Sequence, residues 1–409
     1  MKYSAVCCMA KDEDPFLREW IAYHLLLGFD HCIVVDDASA TPVAAVLKDW
    51  APKDRVTIVR HEKPHGQFET YESILAAFGK DFFWLAFIDM DEFIWCANPW
   101  PQVSVQDWYA NTDIRAVLSF YESYGAVGIN WRMFSWSGHE KRPVGLVLAN
   151  YTQCLGDATH IKSIVQPRAV QQYATPHSFY LKEGWRCVDP SFFPLAPGYP
   201  LAVPHTDQMA VYHYYYKSRE DFQKKIVRGN PVHIQRSSRD FEEHIALPTT
   251  LDTKLASYVP FVRTYLRMPS LFFDRPETGS VKPSEVHEEL RCIAHDIGSL
   301  QRTAQNARSL FVRLADVAMV NATNEHPEKT VMLRVWFLRA RLAFELNALA
   351  CAEHCLRQSI EIGATSEAYT LLAALLLRQG DIAGSKFALS ISQSPKLSSS
   401  ESLERGLNA

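Results

Sequence analysis

The 409-residue chain has no run of ~18 consecutive apolar residues, the length a helix needs to cross a bilayer, so no transmembrane segment is expected. Its first residues, MKYSAVCCMAKDEDP, carry neither a long apolar core nor a signal-cleavage pattern, which reads as no secretory leader. It lacks an excess of positive charge: 42 Lys and Arg stand against 46 Asp and Glu, a formal net charge of −4. That excludes a global basic field for nucleic acid or an anionic membrane. Paired CxxC motifs are missing, and the nine cysteines are odd in number and lie partly inside apolar runs. A disulfide framework is therefore not expected; reduced thiols in a cytoplasmic protein are, with peripheral attachment at a membrane left open. Cys351 and Cys355, four apart on one helix face, read as structural. The first strand is followed by KDEDP, not by the glycine-rich loop of a nucleotidyltransferase.

What the chain does have is alternation. Tyr3–Ala10 is a short buried-strand pattern. Asp14-Pro15 reads as an N-cap with proline at N1, Leu17, Trp20, Ile21 and Leu25 follow at helical spacing, and Gly28 reads as the stop. His31–Asp36, Arg55–Arg60 and Trp84–Asp89 read as further strands, Thr41–Trp50 and Phe68–Phe78 as helices. Strands separated by helices make βαβ units, hence an α/β, Rossmann-like fold with a mostly parallel sheet and flanking helices. Ligands of such sheets bind at the carboxyl ends of the strands. Positions 100–270 mix short strands, aromatics and Pro/Gly loops, with a basic helical stretch from Lys217 to Asn230.

The stretch DRPETGSVKPS, 274–284, has linker composition. Residues 285–395 are helical in pattern and repeat at an offset of 33: Trp336 matches Tyr369, Ala340 matches Ala373, and Leu342 matches Leu375. Helix pairs with small residues at their crossings are expected to form an all-α, tetratricopeptide-like C-terminal domain, a plain helical bundle being the alternative. The expected organisation is a catalytic domain over 1–272, helical repeats over 285–395, and a mobile polar tail over 396–409.

The stretch FIDMDEFIW, 87–95, sets three carboxylates in apolar surroundings. Buried charge is costly unless paired or bound to a cation. Residues i and i+2 of a strand share a side, so Asp89 and Asp91 can face one cleft just past the strand end. Two hard oxygen ligands with open positions opposite suit Mg²⁺ or Mn²⁺ bridging a diphosphate; a turn of capping carboxylates is the bland reading. Glu92, at odd offset, reads as supporting. Asp36 and Asp37 end the second strand, where carboxylates accept from ribose or a base; they also suit a turn. Lys11-Asp12-Glu13 occupies the same edge, as a binding loop or a charged turn.

Taken in order, these blocks resemble a family. KDEDPFLREWIAYHLLLGFDHCIVVDDAS is similar to the N-terminal signature of family 2-like and family 92-like glycosyltransferases of the GT-A fold, and FIDMDEF to their metal motif. Gln67 and Tyr71 match a further recurring position. Lys162–Pro167 with His177, then His213-Tyr214, Lys217-Ser218, Phe222, Lys225 and Arg228-Gly229, resemble the downstream blocks. The resemblance covers about residues 3–230 and leaves out the helical C-terminal part.

The resemblance implies a nucleoside-diphosphate sugar donor, UDP-sugar favoured, and a hydroxyl on a glycan or glycoconjugate acceptor. It implies that Lys11, Glu13, Asp36, Asp37, Gln67 and Asp89 contact the donor. Asp89 and Asp91 would hold Mn²⁺ or Mg²⁺, with a histidine completing the set: His213 first, then His177 and His205. Lys217, Lys225 and Arg228 would neutralise the departing diphosphate. Inversion, the family's pattern, needs a carboxylate base, for which Asp207 leads and Glu183 and Asp189 follow. Aromatics between 179 and 216 read as a sugar-stacking surface or as core.

The function expected is thus a metal-dependent hexosyltransferase of polysaccharide biosynthesis, with the C-terminal repeats docking a protein partner or a second copy. One alternative is a degenerate transferase acting as a scaffold through those repeats. The other, a DxD phosphatase, is disfavoured because Glu92-Phe93 replaces the small turn residue and Thr or Val that follow its second aspartate.

Overall fold

A computed structural model describes residues 1–62, 66–97, 113–196, 204–229, 237–268, 281–298, 304–324 and 326–394. The chain divides into two compact units, 1–97 with 121–275 and 98–120 with 276–409. The expected tail 396–409 and residues 274–280 of the expected linker lie outside the described residues.

The first unit is built on strands β1 (Lys2–Ala10), β2 (His31–Asp37), β3 (Val56–His61) and β4 (Phe82–Phe87), in the spatial order β3-β2-β1-β4 and all parallel. Tyr3, Ala5, Val6, Cys7 and Cys8 of β1 are fully buried, as a central parallel strand covered on both faces requires. Helix α1 (Asp14–Leu27) ends on Gly28, whose φ of 114° suits a residue without Cβ. Trp20 Nε1 donates to the Glu92 carbonyl at 2.9 Å and the Tyr23 hydroxyl to the Ile94 carbonyl at 2.6 Å, fastening α1 to the next strand.

Two short helices differ in fate. The stretch Thr41–Trp50, expected as a helix, is helical only in α2 (Val43–Val46); Asp49 takes a left-handed φ of 60° and breaks the pattern. Helix α3 (Gln67–Phe78) follows β3.

FIDMDEFIW is not one strand. β4 stops at Phe87, and a turn closed by the Glu92 N–H donating to the Asp89 carbonyl (3.1 Å) carries both aspartates; β5 (Glu92–Cys96) begins at once. The turn, not strand alternation, sets where Asp89 and Asp91 point.

The sheet is mixed rather than mostly parallel. β6 (Ala126–Phe134) precedes helix α4 (Val147–Asn150). The 13-residue β7 (Gln153–Val165) then runs antiparallel to both β4 and β6. A two-stranded sheet of β8 (Val170–Thr175) and β9 (Ser178–Leu181) follows, with short β10 (Cys187–Val188) and β11 (Pro194–Leu195) at the sheet edge. β12 (Met209–His213) pairs antiparallel with β5 and parallel with β6. Helix α5 (Arg219–Arg228) starts on Ser218, whose hydroxyl accepts from the Asp221 N–H. Strand order reverses between β1 and β4, so their carboxyl ends form the crevice where such sheets bind ligands. Lys11–Glu13 and Asp89–Asp91 sit at those two ends.

The second unit is all helical in its described elements. Helices Lys329–Glu345 and Leu349–Ile362 form one hairpin, Ser366–Arg378 and Ile382–Ser392 another, with Ala340, Ala373, Leu342 and Leu375 buried at matching positions. Residues 113–120, between β5 and β6 in sequence, belong to this unit. The Phe120 ring lies 5.5 Å from that of Phe311, and its carbonyl is 2.9 Å from His354 Nε2. The chain thus enters the helical unit twice, which a boundary at 272 does not anticipate. No described helix is long and apolar enough to cross a membrane.

Candidate active site

The turn after β4 is locked from several sides. The Asp89 N–H donates to Glu92 Oε2 at 2.8 Å, and the Tyr214 N–H donates to the Asp91 carbonyl at 2.8 Å, tying the turn to the end of β12. Asp89 Oδ1 accepts from Gln67 Nε2 at 3.3 Å and Oδ2 from Lys162 Nζ at 2.8 Å. Lys162 is 1% exposed and also lies 3.7 Å from Glu92 Oε2. Asp91 Oδ2 accepts from Lys225 Nζ at 2.5 Å, and Oδ1 faces His213 Nε2 at 3.5 Å.

The charges follow from this packing. Burial alone would raise the Asp91 carboxyl, but Lys225 and then His213 hold it well below the usual carboxylate range. Burial likewise works against Asp89, and Lys162 brings it down. Glu92 goes the other way: burial lifts it well above a normal glutamate, Lys162 opposing and the two aspartates adding. Burial lowers the His213 imidazole below its ordinary value, so it is neutral near pH 7.

These residues fit a divalent cation in part. A neutral imidazole and a carboxylate oxygen face each other at 3.5 Å, two lone-pair donors that a hard cation would bridge. His213 Nδ1 and Glu92 Oε1 are buried without hydrogen-bond partners among the described residues. Asp89, expected as a third ligand, has its oxygens on Lys162 and Gln67. No group of three or more His, Cys, Asp or Glu side chains among the described residues is arranged around one ion position. Asp91 and His213 would hold a cation, leaving its other positions to water and ligand oxygens.

A cavity of about 510 Å³ is lined among others by Glu13, Phe16, Lys217, Lys225 and Arg228; it meets the turn through Lys225, which bonds Asp91, while Asp89, Asp91 and His213 are not among its lining residues. Lys217 Nζ sits 4.2 Å from the Phe16 ring centre and 3.9 Å from Glu13 Oε2. Arg228 donates to Glu13 Oε1 (2.6 Å) and to the Lys11 carbonyl (2.8 Å), so the last turn of α5 is stitched to the loop after β1.

The remaining expected residues are dispersed. Asp36 is fully buried and uses both oxygens within its own surroundings: Oδ1 accepts from the Ser39 N–H (2.9 Å), Oδ2 from the Val43 N–H (3.0 Å) and Arg60 (2.5 Å). Asp37 is buried with His61 Nδ1 at 4.0 Å. Lys11 contributes its carbonyl. His177 Nδ1 bonds to the Ile161 carbonyl (2.9 Å) and His205 Nδ1 to Asp189 Oδ2 (2.5 Å). Asp189 is buried and also accepts from the Ser191 and Phe193 amides, so it is a structural turn residue and not an available base. Asp207 and Glu183 are exposed.

Lys162 escaped the site reading, although a lone lysine inside IKSIVQP had to find a buried anion. Glu92 was read only as supporting, yet it touches both arms of the site.

The comparisons with known proteins bear on the same segment. A family model described as Glycosyltransferase family 92 matches residues 2–247. A family 92 glycosyltransferase of Ricinus communis is 26% identical over 241 residues, 57% of this chain and 38% of that one. One from Oryza sativa is 28% identical over 188 residues, 45% of this chain and 30% of that one. The chain thus spans well under half the length of the curated relatives it matches. Among solved structures, S. aureus TarS 1–349 in complex with UDP-GlcNAc is 13% identical with a TM-score of 0.31, over 86% of this chain and 91% of that one, too loose a likeness to argue from.

Proposed function

The chain belongs to glycosyltransferase family 92, and from that we propose that its first unit is a GT-A-type enzyme. It moves a sugar from a nucleoside-diphosphate sugar, UDP-sugar favoured, to a hydroxyl of a glycan or glycoconjugate, with inversion. The observation that carries the reading is Asp91, ionised at the strand-order reversal between Lys225 and a neutral His213. Mn²⁺ or Mg²⁺ held by Asp91 and His213 would supply Lewis-acid stabilisation of the departing diphosphate.

The chain's own groups do the rest. Lys225, Lys217 and Arg228 place positive charge along the cavity wall, where the leaving diphosphate accumulates its charge. Lys162 keeps Asp89 ionised and fixed, and Gln67 fixes it from the other side. An acceptor hydroxyl attacks the anomeric carbon and gives its proton to Asp207. Support for that base is positional: Thr206, the residue before it, donates to Asp157 Oδ2 (2.8 Å) on β7, the strand that carries Lys162. The helical unit is read as tetratricopeptide-like repeats that dock a protein partner or a second copy. That no disulfide bridges the described cysteines supports a reducing, cytoplasmic setting.

A thermal-shift screen of nucleoside-diphosphate sugars with and without Mn²⁺ tests the reading, since a ligand of the native state raises its melting temperature. A shift that needs both sugar nucleotide and metal is expected. No shift with any member would favour the scaffold alternative.

A further inference from the structure

An aromatic wall beside Asp91 and His213 has no part in the chemistry above. β7 pairs with β6 through Ile161 opposite Asn130, and next through Asp157 opposite Arg132. Ala158, Thr159 and His160 therefore face the single residue Trp131. Such bulges re-aim side chains beside functional sites. Asn130 Nδ2 holds this one by donating to the carbonyls of Ala158 (3.3 Å) and Thr159 (3.2 Å).

The result is a set of rings. His160 stacks on Trp131 with centres 4.8 Å apart and planes 19° apart. His177, at the turn between β8 and β9, meets the same indole edge-on at 5.2 Å and 72°. His213 touches it from the Asp91 side at 4.5 Å. Yet the cluster is not closed core. His160 is exposed, Trp131 and His177 are half-buried, and the Trp131 N–H has no partner among the described residues.

We propose that Trp131, His160 and His177 form the subsite for the sugar ring of the donor. The proposal rests on the donor reading above. A pyranose presents C–H faces and a polar rim, and it is held by aromatic surface with a few placed polar groups. Here the exposed His160 and the half-buried edge of Trp131 offer the aromatic surface, His177 lies beside them, and the indole N–H is buried behind that surface without a partner among the described residues. Location selects the donor's ring over another sugar. His213 spans from the indole to Asp91, so a ring on this wall lies beside the diphosphate to which the donor sugar is bonded. The segment bearing Asp207 reaches the same bulge, because the His205 N–H donates to Asn130 Oδ1 (3.4 Å) and Thr206 to Asp157.

The test is calorimetric binding of UDP, UDP-glucose, UDP-galactose and UDP-N-acetylglucosamine, with Mn²⁺, to the full chain and to its Trp131→Leu and His160→Ala variants. Trp131→Leu should weaken the tightest-binding sugar nucleotide about tenfold or more and change UDP by less than about twofold. His160→Ala, at an exposed position, should do the same more weakly with an unchanged melting temperature. Equal losses for UDP and UDP-sugar, or no loss for either, overturn the subsite while leaving the donor reading intact. Unchanged donor binding with impaired transfer but intact donor hydrolysis also overturns it, assigning the wall to the acceptor. If the unaltered chain binds none of the four, the UDP-sugar donor reading fails and the subsite with it.

Discussion

His213 stands directly opposite Glu92 across the antiparallel β5–β12 ladder, its Nδ1 3.8 Å from Glu92 Oε1. The other Glu92 oxygen accepts from the Asp89 N–H at 2.8 Å. One fully buried side chain therefore underlies both the aspartate turn and the histidine. A group behind a ligating imidazole fixes its tautomer and orientation. Glu92→Gln keeps the volume but replaces one acceptor by a donor. Mn²⁺ affinity, read by electron paramagnetic resonance titration, should fall about 10- to 100-fold, with stability nearly retained because burial already works against charge on Glu92. Unchanged affinity would mean that Glu92 serves the turn alone.

Lys162 is the counter-charge of the turn. Replacing it by Met leaves Asp89 and Glu92 without their buried ammonium. Loss of one partner of a buried pair costs about 3–5 kcal/mol, and the 38% exposure of Asp89 puts the expected cost at the low end. Urea denaturation measures it; a loss below about 1 kcal/mol would show that water already carries the charge.

Much of this was legible in the sequence, and the failures have physical causes. The βαβ alternation and the Gly28 stop follow from local periodicity and from φ. The mixed sheet does not, because β7 meets its partners β4 and β6 through non-local pairing that no local pattern encodes. FIDMDEFIW misled because a tight turn between two apolar strands is as hydrophobic as one long strand. Asp36 looked like a ligand-facing strand end, but its oxygens close its own loop and pair with Arg60. Residues 113–120 carry no local mark of the helical unit they join. His213 and Lys225 were nameable from motif order, whereas Lys162 needed the argument that an isolated buried cation implies a buried anion.

Glu19 on α1 gives a pH signature. Its oxygens accept from the Val147 (2.8 Å) and Leu148 (3.0 Å) amides at the start of α4, and burial still lifts its carboxyl from 4.5 to about 7. A carboxyl raised on folding contributes stability that is fully present below its unfolded value and is lost as pH rises through the folded value. Between pH 5 and 8 the unaltered chain should lose on the order of 2–3 kcal/mol relative to Glu19→Gln. Parallel denaturation curves at the two pH values would contradict this.

The double entry into the helical unit bears on truncation. Ile114, Ala116 and Leu118 are fully buried there, and Phe120 packs on Phe311. Removing everything after Pro283 exposes this apolar surface, so the shortened chain should aggregate, as light scattering would show. A soluble, monomeric product with full donor hydrolysis would contradict the assignment of 98–120 to the second unit.

The most direct measurement is Mn²⁺-dependent release of UDP from UDP-sugars by the unaltered chain and by Asp91→Asn. Asp91 is ionised, faces His213 and anchors Lys225, so its amide should lower metal-dependent release by about 100-fold or more while the fold survives. Full metal-dependent turnover in Asp91→Asn would contradict the central claim that this carboxylate organises the donor site.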